Sequence, residues 1–534
     1  MPVRFEVYRA GERIGQFHPV SACAMGQDGV PITGDVYVRD GLLTVSRPDM
    51  QPIGVALLWD CGPWGQYVLE TTRLKPRERP YVLNVELARG RLMRILQKME
   101  EWNLFDYPRT EKLAARFREA QTLLSQSLAA TPEDPARASL LADRSLELGM
   151  EVGDELAMFH AELLLGRRRA SGSIARHVLG CRIDPLVPSR EYREMLIGGF
   201  DYAVVPLNWR QIQPREEELV TRPVDELMDA LVGRKVPVVA GPLVDLQESC
   251  VPDWMFMWEH DYDTFRDLTY EHVQRMVQRY RRQVSVWNVV SGLHGHTAFS
   301  LTFEQIVEFT RLLVAQVKAA LPAARTLVSV RHPFGEYHAR HRGTVPPMLY
   351  AEMIAQSGIP FDAFGLELEL GVPAPGMFMR DLFQLSCALD RFATLGRPLF
   401  LTALCVPGQA GADPTDTSEG KLDPSLAGRW HRPWDAALQA EWLEAVCKLA
   451  LSKPYVESVA WSNLADRQHT LPAGGLLDAN FQPKPAYRKT QELRQMFHSW
   501  SARRAAAAGN PPPPNPPPPP AAPGTVSFPP PGSR

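Results

Sequence analysis

The sequence has no uncharged apolar run near the ~18 residues that a membrane span needs, so a membrane protein is not expected. Its amino terminus, MPVRFEVYRAGERIG, has no apolar stretch of the signal-peptide kind, which points to the cytoplasm. Seven cysteines (Cys23, Cys61, Cys181, Cys250, Cys387, Cys405 and Cys447) stand singly, with no CxxC pair and no close Cys/His cluster. A dispersed, odd set reads as reduced thiols rather than disulfides or zinc ligands. An excess of charge of one sign is also missing. Without the three arginines between Ser501 and Arg534, 55 basic residues face 61 acidic ones, which leaves no electrostatic footprint for nucleic acid or an anionic membrane.

What is present fits a large globular protein. Of 534 residues, 45% are hydrophobic and 22% charged, enough for a real core. Proline is the oddity: 48 in all, with 13 between Pro511 and Pro531. A segment of that composition cannot bury apolar surface, so residues 501–534 are expected to be disordered with polyproline II character. The bland reading is an inert tail; a proline-recognising partner is the alternative.

Residues 1–107 have period two. Val3, Phe5 and Val7 alternate with polar residues, and Asp40-Gly41 between Val36–Val38 and Leu43–Val45 is a two-residue hairpin signal. Further short runs, Val55–Trp59, Gln66–Leu69 and Tyr81–Val85, predict an antiparallel β-sandwich-like domain. Helical spacing follows over Arg89–Phe105, Glu111–Ala130 and on to about Gly166, a helical connector spanning 108–170.

From residue 171 to 500 the rhythm becomes βα. Eight apolar runs alternate with amphipathic helices: His177–Ile183, Tyr202–Leu207, Val236–Val244, Val284–Val290, Thr326–Val330, Ala363–Leu370, Pro398–Leu404 and Val456–Trp461. This is the arithmetic of an α/β TIM (β/α)8 barrel, whose functional site lies at the strand C-termini. A doubly wound open sheet is the alternative, but no GxGxxG or GxxxxGKS/T loop follows any strand, and no cofactor is implied.

The strand ends carry the candidate chemistry. Strand two ends in Asn208-Trp209, with Gln213-Pro214 beyond it. Strand four reads Trp287-Asn288-Val289-Val290-Ser291-Gly292. Strand seven holds Thr402-Ala403-Leu404. Strand eight gives Trp461, Asn463 and Asp466, then GGLLDANFQPKPAY from Gly474 to Tyr487. Over roughly Arg176 to Phe497 the chain resembles the family 10 glycoside hydrolases, the TIM-barrel β-1,4-xylanases, with their W-x-x-x-E-P, W-D-V-V-N-E, T-E-L and QPKPAY segments. The resemblance implies a carbohydrate ligand. It also implies an acid/base glutamate where this chain has Gly292 and a nucleophilic glutamate where it has Ala403. Glycine and alanine can do neither job, and Ser291 replaces the asparagine before the acid/base.

Other carboxylates are candidates to stand in. Retaining hydrolysis needs two carboxyl groups ~5–5.5 Å apart. Glu367 and Glu369 share one face of strand six, so both enter the barrel if Leu366 and Leu368 face the helices. The structural alternative is that Arg331 or Arg380 holds them. Glu336, after strand five, is the third candidate acid. The candidate binding residues are Asn208, Trp209, Asp245, Trp287, His294, Trp461, Asn463 and Asp466, since sugars are held by flat rings and polar neighbours. Trp430 and Trp434 are candidates for a lid. His294, His296, His332 and His338 have no spacing that makes them converge, so no metal site is expected. Three functions follow: a glycosidase with a relocated acid pair, a non-catalytic carbohydrate-binding pseudo-glycosidase, or a scaffold whose tail recruits partners.

Overall fold

The computed structural model describes residues 2–47, 51–105, 111–175, 177–413, 422–467 and 471–507. Its centre is a closed eight-stranded parallel barrel. The strands are Leu179–Arg182, Tyr202–Val205, Val238–Ala240 (with a short continuation, Val244–Asp245), Val286–Ser291, Arg325–Arg331, Ala363–Glu369, Leu399–Cys405 and Val456–Trp461. Strand one pairs with strands two and eight, and strand three pairs with strand four, which closes the ring. All eight apolar runs are therefore strands, because a strand covered on both faces must be apolar throughout.

Inside the barrel the floor is apolar: Tyr202, Val204, Val239, Leu327, Ala363, Phe400 and Ala460 form a closed cluster. A polar layer stands above it. The Ser329 hydroxyl donates to Asn288 Oδ1 at 2.9 Å and lies 3.2 Å from Thr402 Oγ1. Gly365 leaves room for this layer, since a Cβ on it would come within 2.0 Å of Ser329 Oγ. The helices between strands are held by local caps. Thr302 and Gln305 form a capping box at the start of Phe303–Ala320, and Asp381 and Gln384 form another at the start of Leu382–Ala393.

Two antiparallel-rich sheets precede the barrel. One joins Tyr81–Val82, Val3–Glu6, Leu42–Ser46 and Asp35–Arg39; the other joins Gly65–Glu70, Gly54–Asp60, Cys23–Met25 and Pro31–Ile32. Asp40 and Gly41 both have positive φ, 52° and 72°, as a type I′ hairpin turn requires. The Tyr81–Val85 run is strand for only two residues. A helix takes over at Leu83 and ends at Glu101, starting six residues earlier than the sequence pattern predicts. The connector continues as Glu111–Ala130 and a 37-residue helix, Pro135–Ser171. The last helix, Pro485–Ala507, runs into the tail expected to be disordered; residues 508–534 lie outside the described part.

The N-terminal sheets are fused to the barrel. Arg429–Trp430, from the loop after strand seven, adds to the edge of the second sheet beside Gly65–Gln66. Val68 N–H donates to Met379 O at 3.1 Å, and Met379 N–H to Ala427 O at 3.0 Å. The loops after strands six and seven are thus hydrogen-bonded to the N-terminal part. Trp430 is 6% exposed and Trp434 3%, so both are core residues of this junction and correct the expected lid. Residues 414–421 of the same loop lie outside the described part.

Replacing Gly365 by alanine should lower stability by about 1–3 kcal/mol, as overpacking of a filled interior does. The urea midpoint would fall at constant slope, and Ser329→Ala in the same chain should recover part of the loss. A neutral Gly365→Ala would contradict the tight polar layer.

Candidate functional site

Parallel neighbours bring the C-terminal ends of strands three to seven side by side. The register pairs Asp245 with Ser291, Arg331 with Glu367, and Glu367 with Ala403. These residues, with Gly292 and Glu369, line the mouth of the barrel.

Arg331 is the centre of this group. Its Nη1 and Nη2 donate to both oxygens of Asp245, at 3.2 and 2.6 Å, and its Nε donates to Glu367 Oε2 at 2.7 Å. Glu367 also accepts from the Ser291 hydroxyl through Oε1. The guanidinium reaches the ground in front of Gly292, where a built Cβ would stand 3.3 Å from Nη1. The side chains of Arg331, Asp245 and Glu367 are 15%, 8% and 8% exposed. Two flanking carboxylates hold Arg331 above its usual pKa despite its burial.

Glu369 behaves differently. It is partly buried, and burial, then the charge of Glu367, raise its pKa above the usual carboxylate range; the Ser462 hydroxyl, Arg331 and Arg182 act the other way. The third acid, Glu336, is 3% exposed and tied to Arg380, whose guanidinium also lies over the Phe334 ring at 4.5 Å. Glu336 is therefore engaged in its own ion pair rather than drawn to the other two acids. Of the three acids singled out in the sequence, one is bound to Arg331, one to Arg380, and one is left with an elevated pKa at the mouth.

The expected binding residues divide sharply. Trp287 is fully buried, and Trp461, 3% exposed, donates from Nε1 to Gly474 O at 2.9 Å. Trp209 stacks on His272 at 4.4 Å and donates to Gln213. These rings are core, which corrects their reading as sugar platforms. His294 is buried with Nε2 2.9 Å from Arg331 O, stacked on Tyr350, and its pKa is pushed down to about 4, chiefly by burial. Asn208 caps the short helix Trp209–Ile212 by accepting from Gln211 N–H, and Asp466 accepts from Gly475 N–H and Lys484. Asp245 is consumed by Arg331. Asn463 is partly exposed past strand eight. His296 and His338 face backbone carbonyls, and no group of three or more metal-type side chains converges among the described residues.

Three groups were missed. Arg182 ends strand one and Ser462 follows strand eight, and both act on Glu369. The loop after strand three carries Trp254, Phe256 and Trp258, all partly exposed, around Met257 at 73% exposure. The aromatic run Trp254–Trp258 was the available signal.

Two outcomes follow from the electrostatics. Arg331→Met leaves two buried carboxylates unpaired and should cost about 3–5 kcal/mol in urea unfolding at pH 7; a loss below 1 kcal/mol would contradict the pairing. Glu369→Gln tests the raised pKa. An acid whose folded pKa lies above its unfolded one stabilises the fold only in acid, and its penalty enters as pH rises past the ordinary value of 4.5. Glu369→Gln should therefore be more stable than wild type at pH 8, with the two converging below about pH 4.

The model of glycosyl hydrolase family 10 matches residues 204–493. Endo-1,4-β-xylanase B of Thermotoga neapolitana is 19% identical over 302 residues, 54% of this chain and 78% of its own. Endo-1,4-β-xylanase 1 of Gibberella zeae is 22% identical over 310 residues, covering 56% and 80%. Among solved structures, a family 10 protein from Paenibacillus barcinonensis aligns with 61% of this chain and 97% of its own at 20% identity and a TM-score of 0.46. With a match over more than half its length, this chain belongs to glycosyl hydrolase family 10.

Proposed function

We propose that this barrel binds a β-linked carbohydrate without the two-glutamate hydrolysis of its family. The observation that carries this reading is the place of Arg331. Where a family member would need a proton-donating carboxyl, Gly292 offers none and a paired guanidinium stands in front of it. Ala403 offers no nucleophile, and its neighbour Glu367 is bound to Arg331 and Ser291. The relatives are named for 1,4-β-xylan cleavage, so β-1,4-linked xylose chains are the ligand class to try first. Asn463, Glu369 and the Trp254–Trp258 loop are the contacts we assign to it, hydroxyl partners beside exposed rings.

The second reading keeps activity through Glu369, favoured by the upward direction of its pKa shift, the direction a general acid needs. Calorimetric titration with β-1,4-xylohexaose and a reducing-sugar assay separate the two. Saturable binding without product release is expected, with Trp254→Ala weakening it roughly tenfold, ~1.4 kcal/mol. Product release that disappears in Glu369→Gln would replace binding by relocated catalysis. No binding and no turnover would leave the scaffold reading, with the proline-rich tail as its recruiting segment.

A further inference from the structure

A second cavity, about 490 Å³, lies between the N-terminal sheet, the helix Leu83–Glu101 and the barrel helix Leu382–Ala393. None of the mouth residues lines it. Its size suits a small ligand, for which ~300–1,000 Å³ is usual.

Most charged groups on its walls are consumed in pairs. Glu70 is taken by Arg73, at 2.9 Å, and by Arg94. Asp390 is held by Lys98 at 3.1 Å and Lys453 at 2.7 Å, and Glu101 by Lys98. Apart from the exposed carboxylate of Asp28, two groups are left over. Arg391 donates to backbone carbonyls, Asp28 O at 3.0 Å and Gly29 O at 3.4 Å, with no ion pair among the described residues; the carboxylates of Glu352 and Asp28 act on it only from longer range. Glu336 gives one oxygen to Arg380, while its other, Oε2, is buried with no partner among the described residues. A buried acceptor without a donor is costly, more so when charged.

We propose that this cavity binds a small hydroxylated anion of the sugar-acid class, its carboxylate on Arg391 and a hydroxyl donating to Glu336 Oε2. The two unsatisfied groups call for opposite partners in one molecule. Arg380 already neutralises Glu336, so an ammonium at Oε2 would meet a like charge beside it, whereas a neutral hydroxyl satisfies the oxygen without that repulsion. Met25, Phe334 and Phe383 supply apolar wall for the CH face of such a ligand. Because Arg391 comes from the barrel helix and Met25 from the N-terminal sheet, the ligand would bridge the two parts of the chain.

The full chain is titrated calorimetrically with D-glucuronate, D-glucose and inorganic phosphate, with thermal melting in parallel. Glucuronate should bind saturably and raise Tm, with glucose and phosphate at least tenfold weaker. Arg391→Gln should weaken glucuronate binding at least tenfold and Arg391→Lys less. Ala388→Trp, which fills the cavity without changing charge, should abolish it. Xylohexaose binding should be unchanged in Arg391→Gln, so failure here is separate from failure of the barrel reading. Absent glucuronate binding, or binding indifferent to both Arg391→Gln and Ala388→Trp, overturns the proposal. Phosphate binding as tightly as glucuronate overturns the hydroxyl recognition.

Discussion

The barrel mouth depends on one buried cation. Moving a guanidinium out of water costs several kcal/mol unless fixed anions meet it with good geometry, and Asp245 and Glu367 do so on three of the five donors of Arg331. The three groups stand at the ends of strands three, five and six, so closing the barrel and closing this network are the same event. The network then sets its surroundings. The negative charge of Glu367 adds to burial in raising Glu369, and the positive charge of Arg331 adds to burial in lowering His332 to about 3.

Arg331 also constrains what residue 292 could do. Gly292 has a φ of 65°, a backbone setting that suits glycine, and its missing side chain would start 3.3 Å from Nη1. A carboxyl at that point would face a fixed guanidinium and be held ionised, the wrong state for protonating a leaving oxygen. In the proposed binding role, the missing acid at 292 and the fixed guanidinium are therefore compatible: Arg331 keeps Asp245 and Glu367 as its partners and holds the mouth rigid.

Much of the fold is legible in the sequence because it is written in local patterns. Eight apolar runs give eight strands, and Asp40-Gly41 gives its turn. The helix at Leu83 was placed too late because its preceding residue, Val82, provides no side-chain cap. The addition of Arg429–Trp430 to a sheet more than 350 residues away in sequence has no local signature at all. The site was legible in position and less so in role. Alternation placed Glu367 and Glu369 on one face, yet it could not divide them into a paired acid and a raised one. Tryptophans at strand ends read equally as platform or core, and only packing against His272, Gly474 and Trp442 decides for core.

The N-terminal part closes one side of the mouth. Its second sheet is hydrogen-bonded to Met379 after strand six and extended by Arg429–Trp430 after strand seven. Arg91 of the helix Leu83–Glu101 reaches Asp381 at 2.8 Å, both side chains buried, while burial and then Asp381 push Asp154 of the long connector helix up to about 8. One hydrophobic cluster runs from Val3 to Phe497 without interruption. A hinge here would expose that shared core and strand the Arg91–Asp381 pair, so this side of the barrel is a wall. The loops after strands two, three, four and eight are left to shape the entrance, and they carry Asn208, Trp254, Gly292 and Asn463. The partly exposed rings of the loop after strand three thus stand on the side that the wall leaves open.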